Sequence, residues 1–423
     1  MYVPGTLSVL TRNRDFRRLF GAELVIFGGD WFILIPLVTL LPKLTGSGLW
    51  GGLVLAADTG ILAILLPFTG AVGDRLDRRR IMLTANLTGV AAVLVLLLVR
   101  SAGTAWLAVA AVGAYAVAKA FYTPAAGAAL PNMVELEDLA AANAVAGSAW
   151  GTMLVVGASL GGLLAAAVGP YICFLVTAVC LMAAAALVWP IRRPMQAERD
   201  GGRPAHPLAA VGEAMRYIVH RPRVGALVTV KSAVALGNGV LTTFPLLATA
   251  VFHVGPTGTG FLFAARGAGA LVGPLLLRRV LLRRSWLLPG LAVSMGIYGL
   301  AYLSMAVAPW YALALVLVVL AHTAGGGNWA MSNYALQVEV PDGLRGRVFA
   351  TDMMLAMVAL SASQLVVGML VDHVNLRLLI ACSGATTLLY AIGWRLTTRR
   401  LLARGPAAGA ALDTAREPAG TAE

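Results

Sequence analysis

The chain has 423 residues, of which 59% are apolar and only 12% carry a charged side chain. Soluble globular proteins contain about 25% charged residues, so this composition excludes a soluble or intrinsically disordered chain and favours a polytopic membrane protein. The formal charge of +13 does not indicate nucleic-acid binding, because the arginines lie in short segments between apolar runs. The three cysteines lie inside apolar runs and show no disulfide or metal-binding spacing.

Twelve apolar runs are long enough to cross a bilayer, which takes about 20 helical residues. Their residues do not alternate as those of barrel strands do, so helices are predicted. The first run is predicted to be a retained helix and not a signal peptide, because it is too long and contains Glu23 and Asp30. The runs are 19–41, 49–72, 81–99, 103–126, 141–167, 170–190, 225–252, 257–277, 286–307, 310–333, 348–371 and 375–397.

The distribution of basic residues predicts the orientation and the domain organisation. With both termini in the cytoplasm, 26 of the 32 lysines and arginines fall in cytoplasmic segments, as expected for a multi-pass protein of the cytoplasmic membrane. Residues 208–219 alternate apolar and charged residues, which predicts a short amphipathic helix on the membrane surface. The predicted parts are a six-helix half (1–190), a cytoplasmic linker (191–222), a second six-helix half (223–403) and a disordered tail (404–423).

The two halves resemble each other in sequence. Ala56-Ala57-Asp58 recurs as Ala264-Ala265-Arg266, and Gly28-Gly29-Asp30 recurs as Gly237-Asn238-Gly239, at nearly the same offset. Two related halves with a site between them near the midplane of the membrane are typical of a transporter.

The segment Gly70-Ala-Val-Gly-Asp-Arg-Leu-Asp-Arg-Arg-Arg80 lies between the second and third runs. It resembles the G-x-L-x-D-R-x-G-R-R signature of the major facilitator superfamily, although Asp77 stands where the family usually has glycine. The resemblance implies an all-α membrane protein of twelve transmembrane helices in two pseudo-symmetric six-helix halves. It also implies a cytoplasmic gate, in which an acid at the membrane edge caps a helix of the opposing half. The predicted gate residues are Gly70, Gly73, Asp74, Arg75, Arg78 and, at the start of the eleventh run, Asp352.

Further stretches resemble one branch of that family. Glu213-Ala-Met-Arg-Tyr217 and Leu344-Arg-Gly-Arg-Val348 are similar to segments of the enterobactin-exporter-like branch, the transmembrane secretion effectors. Gly157, Gly161 and Gly162 belong to a stretch that is similar to the exporters' G-P-x-x-G-G motif, with alanine in place of the proline. The family associates this motif with antiport, but simple close packing of helices explains the glycines equally well.

Charged side chains inside the membrane are candidate functional residues, because each costs about 2.5 to 3.5 kcal/mol at the bilayer centre. Asp30 either carries a proton or a substrate cation, or forms a structural ion pair. Asp58 and Arg266 occupy repeat-related positions, and they either pair across the halves or serve one half each. Lys119 either binds an anionic substrate or counters Asp30. Glu23, nearer the cytoplasmic end, either takes part in proton coupling or forms an interfacial salt bridge, and its position favours the salt bridge.

Two helices are predicted to be broken, the seventh at Gly237-Asn238-Gly239 with Pro245 and the tenth at 325–328. Such breaks free backbone groups that only a cavity or neighbouring protein can satisfy. The side chains expected along the substrate pathway are Trp31, Asn238, Asn328, Trp329 and Asn333.

The resemblance implies a secondary active transporter that exports a small organic compound, such as a drug, siderophore or secondary metabolite, by proton-coupled alternating access. Its expected partners are this substrate, protons and the lipid bilayer, and it is expected to work as a monomer. Two alternatives stay open: an importer of a small metabolite, and a non-transporting receptor or scaffold on the same fold. The sequence contains no phosphate loop, paired metal ligands or catalytic constellation, so we predict no enzyme activity, cofactor or metal.

Overall fold

The computed structural model describes residues 8–195, 207–276 and 284–403. In these ranges twelve helices are long and apolar enough to span a membrane, which confirms the predicted fold class. The predicted tail, 404–423, and part of the predicted linker lie outside the described residues. The spanning helices are α1 (Arg14–Thr45), α2 (Leu49–Arg75), α3 (Arg78–Val95), α4 (Ala105–Met133), α5 (Leu139–Val168), α6 (Pro170–Val188), α7 (Pro222–Val251), α8 (Gly255–Leu276), α9 (Arg284–Ala306), α10 (Tyr311–Glu339), α11 (Asp342–Leu370) and α12 (Leu376–Ala403).

Several helices continue beyond the apolar runs that predict them. Helix α1 begins at Arg14 because the side chain of Asn13 accepts a hydrogen bond from the Phe16 N–H at 2.9 Å and so caps the helix. The amide nitrogen of Asn13 also donates to the carbonyl of Met133 at the end of α4. Hydropathy marks the part of a helix that lies in hydrocarbon, whereas these caps set its actual end.

Twelve spans bring the chain back to the side on which it starts. We call the side that holds Arg14 and the start of α7 the terminal face, and the side that holds Ser47 and Asp372 the distal face. Helices α1 to α6 and α7 to α12 form the two halves, which meet mainly where α2 packs on α11 and α5 packs on α8.

The predicted break in α7 is confirmed, and the predicted break in α10 is wrong. Helix α7 passes through a 3₁₀ segment, Asn238–Thr243, and a π-helical turn, Leu247–Val251. Helix α10 is continuous, because its glycines serve close packing and not a hinge. A Cβ atom at Gly326 would lie 2.6 Å from the carbonyl oxygen of Ala270 in α8, so only glycine allows these helices to approach so closely.

The amphipathic segment forms a helix, Pro207–His220. Its Ala214 and Ile218 are buried in a cluster with residues of α7 and α11, and Glu213 forms an ion pair with Arg347 of α11. One face of this helix is therefore covered by the second half of the protein, whereas the sequence alone predicts that it rests on lipid.

Candidate functional site

Three charged side chains of the first half meet near the middle of the bundle. Lys119 Nζ of α4 lies 2.7 Å from Asp58 Oδ1 of α2 and 3.4 Å from Asp30 Oδ2 of α1. The hydroxyl of Tyr115 also donates to Asp30. Tyr115 and Lys119 are four residues apart in α4, so both reach the same side of the helix. We call Asp30, Asp58 and Lys119 the acid cluster.

Only a small part of the acid cluster is accessible, with 16–18% of each side chain exposed. The ammonium group of Lys119 in α4 and the carboxylate of Asp58 in α2 form an ion pair within the first half. Of the two arrangements that the sequence leaves open for Asp58, pairing across the halves and pairing within one half, the structure shows the second.

Arg266 of α8, in the second half, lines the same cavity as the acid cluster. Among the residues that the structure describes, no carboxylate lies within ion-pairing distance of its guanidinium group. Its electrostatic neighbours are the hydroxyls of Tyr298 and Tyr302 in α9 and the imidazole of His322 in α10. The Tyr302 hydroxyl is 2.8 Å from His322 Nε2, and the Tyr298 hydroxyl donates to Asn238 Oδ1 at 2.9 Å.

A cavity of about 170 Å³ lies between the halves and contains both the acid cluster and Arg266. The rings of Trp31 and Phe263 form part of its wall, with their centroids 5.5 Å apart. Ligand pockets usually measure about 300 to 1,000 Å³, so this conformation has room for a small molecule only. The other lining residues are Phe27, Leu34, Leu55, Thr59, Leu154, Leu241, Leu360 and Gln364.

Close backbone contacts join the two halves on the distal side of the cavity. A Cβ atom at Gly52 of α2 would lie 2.6 Å from the Cα of Gly368 in α11, and one at Gly162 of α5 would lie 2.8 Å from the Cα of Gly260 in α8. Glycine at these positions allows the two halves to touch, and these contacts hold them together at the distal face.

A hydrogen-bonded latch crosses the halves at the distal face. Asp372, just beyond α11, accepts hydrogen bonds from the Ser47 hydroxyl and from the N–H groups of Gly48, at 2.7 Å, and Leu49, and so caps the start of α2. Partial burial alone would raise the pKa of Asp372, but these hydrogen bonds outweigh it and hold the pKa below its usual value. The sequence does not indicate this role for Asp372, because nothing local points to a partner more than 300 positions away.

Most of the predicted pathway residues lie elsewhere. Trp31 lines the cavity, but Asn238 binds Tyr298, and the fully buried Asn328 donates to Ser294 Oγ at 3.0 Å. These amides join helices within the second half. The prediction that they lie on the pathway assumed that an intramembrane amide faces a cavity, whereas both satisfy polar groups of neighbouring helices.

Trp329 and Asn333 surround a second ion pair, between Lys231 of α7 and Asp352 of α11. Both charged side chains are only 1% exposed. Lys231 Nζ donates to Asn333 Oδ1 at 2.6 Å and lies 5.0 Å from the centroid of the Trp329 ring. The second half thus contains a buried structural ion pair that is separate from the cavity.

For four predicted gate residues, Gly70, Gly73, Asp74 and Arg75, the structure describes only the helical backbone at the end of α2. Arg78 is described, and its Nη1 donates to the carbonyls of Ala128 at 2.7 Å and Met195 at 2.9 Å. It therefore ties the start of α3 to α4 and to the segment after α6.

The glycines of the α5 motif pack against α1. Cβ atoms at Gly157 and Gly161 would each lie 2.6 Å from an atom of Trp31 in α1, so these glycines make room for that residue.

In the described ranges Glu23 has no ion pair, which contradicts the predicted salt bridge. The nearby Arg18 pairs instead with Asp15 at 3.1 Å.

The comparisons with known proteins agree with this architecture. Residues 20–359 match the profile of the Major Facilitator Superfamily. The multidrug efflux pump Tap of Mycolicibacterium fortuitum is 28% identical over 385 residues, which cover 86% of this chain and 91% of that protein.

Solved transporters share the fold at low identity. A bacterial homologue of the human lysosomal transporter Spinster, in an inward-facing and unoccupied conformation, has a TM-score of 0.70 at 17% identity, covering 94% of this chain and 99% of that chain. A POT family transporter in complex with a thioalcohol-conjugated peptide has a TM-score of 0.74 at 8% identity, covering 92% and 97%. The chain therefore belongs to the major facilitator superfamily and is a multi-pass membrane transporter of small molecules, not an enzyme.

Proposed function

We propose that this transporter exports a small organic compound from the cytoplasm in exchange for protons. The relative Tap is described as a multidrug efflux pump, which favours export over import. The distribution of lysine and arginine supports a cytoplasmic location of the terminal face in the cell membrane. The protein works as a monomer, because a single chain provides both halves of the cavity.

The single observation that carries the proposal is the composition of the acid cluster. Two carboxylates share one ammonium group, so the cluster has a net charge of −1 when both acids are ionised. An excess charge in a poorly hydrated site is costly. Binding of one proton or of one organic cation removes that excess, and the two compete for the same carboxylates. Such competition couples proton entry to substrate exit.

Rocking of the two halves provides access to the cavity from each side in turn. The contacts of Gly52 and Gly162 close the distal side here, and the small cavity must widen when a drug-sized compound enters. The gate that the sequence predicts around Asp74 closes the terminal face in the other half of the cycle.

Compound-driven proton movement in proteoliposomes tests the proposal. The vesicles contain a lumenal pH dye and an imposed pH gradient, and the panel comprises amphipathic cations, a catechol siderophore and common antibiotics. We expect a panel compound to trigger proton movement in wild-type vesicles. Both Asp30→Asn and Asp58→Asn should abolish it. Glu23→Gln is the matched control, because it removes an intramembrane carboxylate that does not line the cavity, and it should retain the response.

Equal proton movement in wild-type and Asp30→Asn vesicles would contradict the role of the cluster. If loss of the protein starves cells of a compound without sensitising them to any compound of the panel, the importer alternative is correct.

A further inference from the structure

In the part of the chain that the structure describes, no carboxylate pairs with the guanidinium group of Arg266 in the cavity. Elsewhere in the described ranges the intramembrane cations are paired, Lys119 with the two acids of its cluster and Lys231 with Asp352. Arginine does not lose its charge in proteins, so it cannot lower the cost of burial by deprotonation. A guanidinium group that lines a cavity without a protein carboxylate is therefore a site for an anionic group of a ligand.

The placement of charge across the cavity defines the rest of the ligand. With both acids ionised, the first half contributes −1 through the acid cluster and the second half contributes +1 through Arg266. The walls of the same cavity include the rings of Trp31 and Phe263. A molecule that complements this cavity has a cationic group at one end, an anionic group at the other and an apolar body between them.

We infer that the transported compound is a small amphoteric molecule with an apolar, aromatic-sized body. Its ammonium group binds Asp30 and Asp58, and its carboxylate binds Arg266, whose planar fork of donors suits a carboxylate. This inference rests on the proposed function, because it names the substrate class of the same site. On this inference, the proton and the substrate compete only at the acid cluster. Arg266 binds no proton in exchange and recognises the substrate throughout the transport cycle.

Such a ligand also connects the halves. Asp58 and Arg266 line one cavity, but Asp58 pairs with Lys119 at 2.7 Å and forms no ion pair with Arg266. A ligand with opposite charges at its two ends supplies the missing ionic connection between α2 and α8. Its binding therefore draws the halves together around the substrate, whereas a singly charged compound contacts one half through its charge.

Four derivatives of one amino acid separate these contributions. Phenylalanine is zwitterionic, phenylalaninamide is cationic, N-acetylphenylalanine is anionic and N-acetylphenylalaninamide is neutral, and all four share the same benzyl group. Each is titrated against the full-length protein in lipid nanodiscs, and its dissociation constant is obtained from the ligand-dependent shift of the thermal unfolding midpoint. We expect wild-type protein to bind phenylalanine most tightly and the neutral derivative most weakly.

The substitution Arg266→Gln should weaken the binding of phenylalanine and N-acetylphenylalanine by about tenfold to a hundredfold, as expected for the loss of a charge-assisted hydrogen bond. It should leave phenylalaninamide binding unchanged, and that unchanged binding also shows that the variant is folded. Asp58→Asn should have the converse effect and weaken the two derivatives with a free amine. Arg266→Lys keeps the charge but not the fork, so it should fall between wild type and Arg266→Gln.

Three results would overturn the inference: equal affinity of wild type for the zwitterionic and neutral derivatives, no binding of any derivative, or unchanged phenylalanine affinity in Arg266→Gln. If Arg266→Gln does not fold, the ranking of the four derivatives by wild type and Arg266→Lys decides the question. The proton assay with amphipathic cations is independent of the anionic site. If amphipathic cations drive proton movement but the derivative series fails, this inference is refuted and proton-coupled export is retained. If the derivatives bind according to their charge but no proton movement occurs, proton-coupled export is refuted and the inferred ligand class is retained.

Discussion

The contact between Gly52 of α2 and Gly368 of α11 makes closure of the distal face sensitive to a single methyl group. A Cβ atom at Gly52 would lie 2.6 Å from Gly368 Cα and 3.1 Å from a methyl carbon of Thr242. Non-bonded carbons prefer separations of about 3.5–4.0 Å, so the helices would have to separate by roughly 1 Å. Because the atom that is met belongs to the backbone, no change of rotamer relieves the clash.

We therefore expect Gly52→Ala to destabilise the distally closed state by about 1–3 kcal/mol, the usual cost of an extra carbon in a packed interface. The clash disappears when the halves separate, so the open state does not bear this cost. A difference of that size changes the ratio of closed to open protein by about 5- to 150-fold. Substrate affinity measured from the distal side should rise accordingly.

Distances between spin labels at Ala102 and Val307 provide the assay, after replacement of the three native cysteines. Both residues are exposed in distal loops, one in each half. Gly52→Ala should shift the distance distribution towards longer values. Gly296→Ala is the matched control, because it adds the same methyl group to a helix at a position with no atom within 4 Å. A distribution identical to wild type in Gly52→Ala, or the same shift in the control, would refute the reasoning.

Three further predictions concern other contacts. Lys119→Met leaves two neighbouring carboxylates without a counter-charge and should lower the free energy of unfolding by about 3 kcal/mol. Thermal unfolding should show that adding Asp58→Asn recovers part of this loss. Strictly additive effects in the double variant would contradict the pairing. Because the pKa of Asp372 is lowered, the stability that this carboxylate adds to the distal latch is present above the ordinary pKa of aspartate and is lost as the pH falls through its lower value in the folded protein. The distal label distances should thus be constant at neutral pH and lengthen only in acid, and an increase near neutral pH would exclude this carboxylate as the cause. Gly157→Ala would place a methyl group 2.6 Å from the Trp31 ring and should change the indole fluorescence and weaken ligand binding, whereas an unchanged spectrum would show that the ring relaxes freely.

The sequence predicts the spans and the intramembrane charges because each depends on a local property. A run of apolar residues has the length to cross the membrane wherever it occurs, and a charge within it is costly whatever its neighbours are. The pairing of Lys119 with Asp58 is a different kind of fact. The two residues are 61 positions apart, and their contact depends on how α2 packs on α4. The sequence therefore identifies both residues as candidates but leaves their partners open.

Glycine shows the opposite difficulty, because one local signal has two structural meanings. The glycines near Asn238 accompany a real 3₁₀ segment, but those near Asn328 lie in a continuous helix. At Gly326 the missing side chain admits a carbonyl of α8, and this neighbour is invisible in the sequence. The prediction of a hinge in α10 failed because close packing and flexibility both favour glycine.

The repeat explains why the cavity has opposite charges on its two sides. Asp58 in α2 and Arg266 in α8 follow the same Ala-Ala pair in the two halves, so the pseudo-symmetric fold brings both to the lining of one cavity. Two acids at these positions would add to the excess charge of the acid cluster, and two arginines would leave a second cation without a partner. The exchange of an acid for an arginine keeps the repeated backbone and makes each half complementary to a different end of a ligand. This difference at a repeated position, together with Asp30 and Lys119 of the first half, is what would orient the amphoteric substrate that we infer.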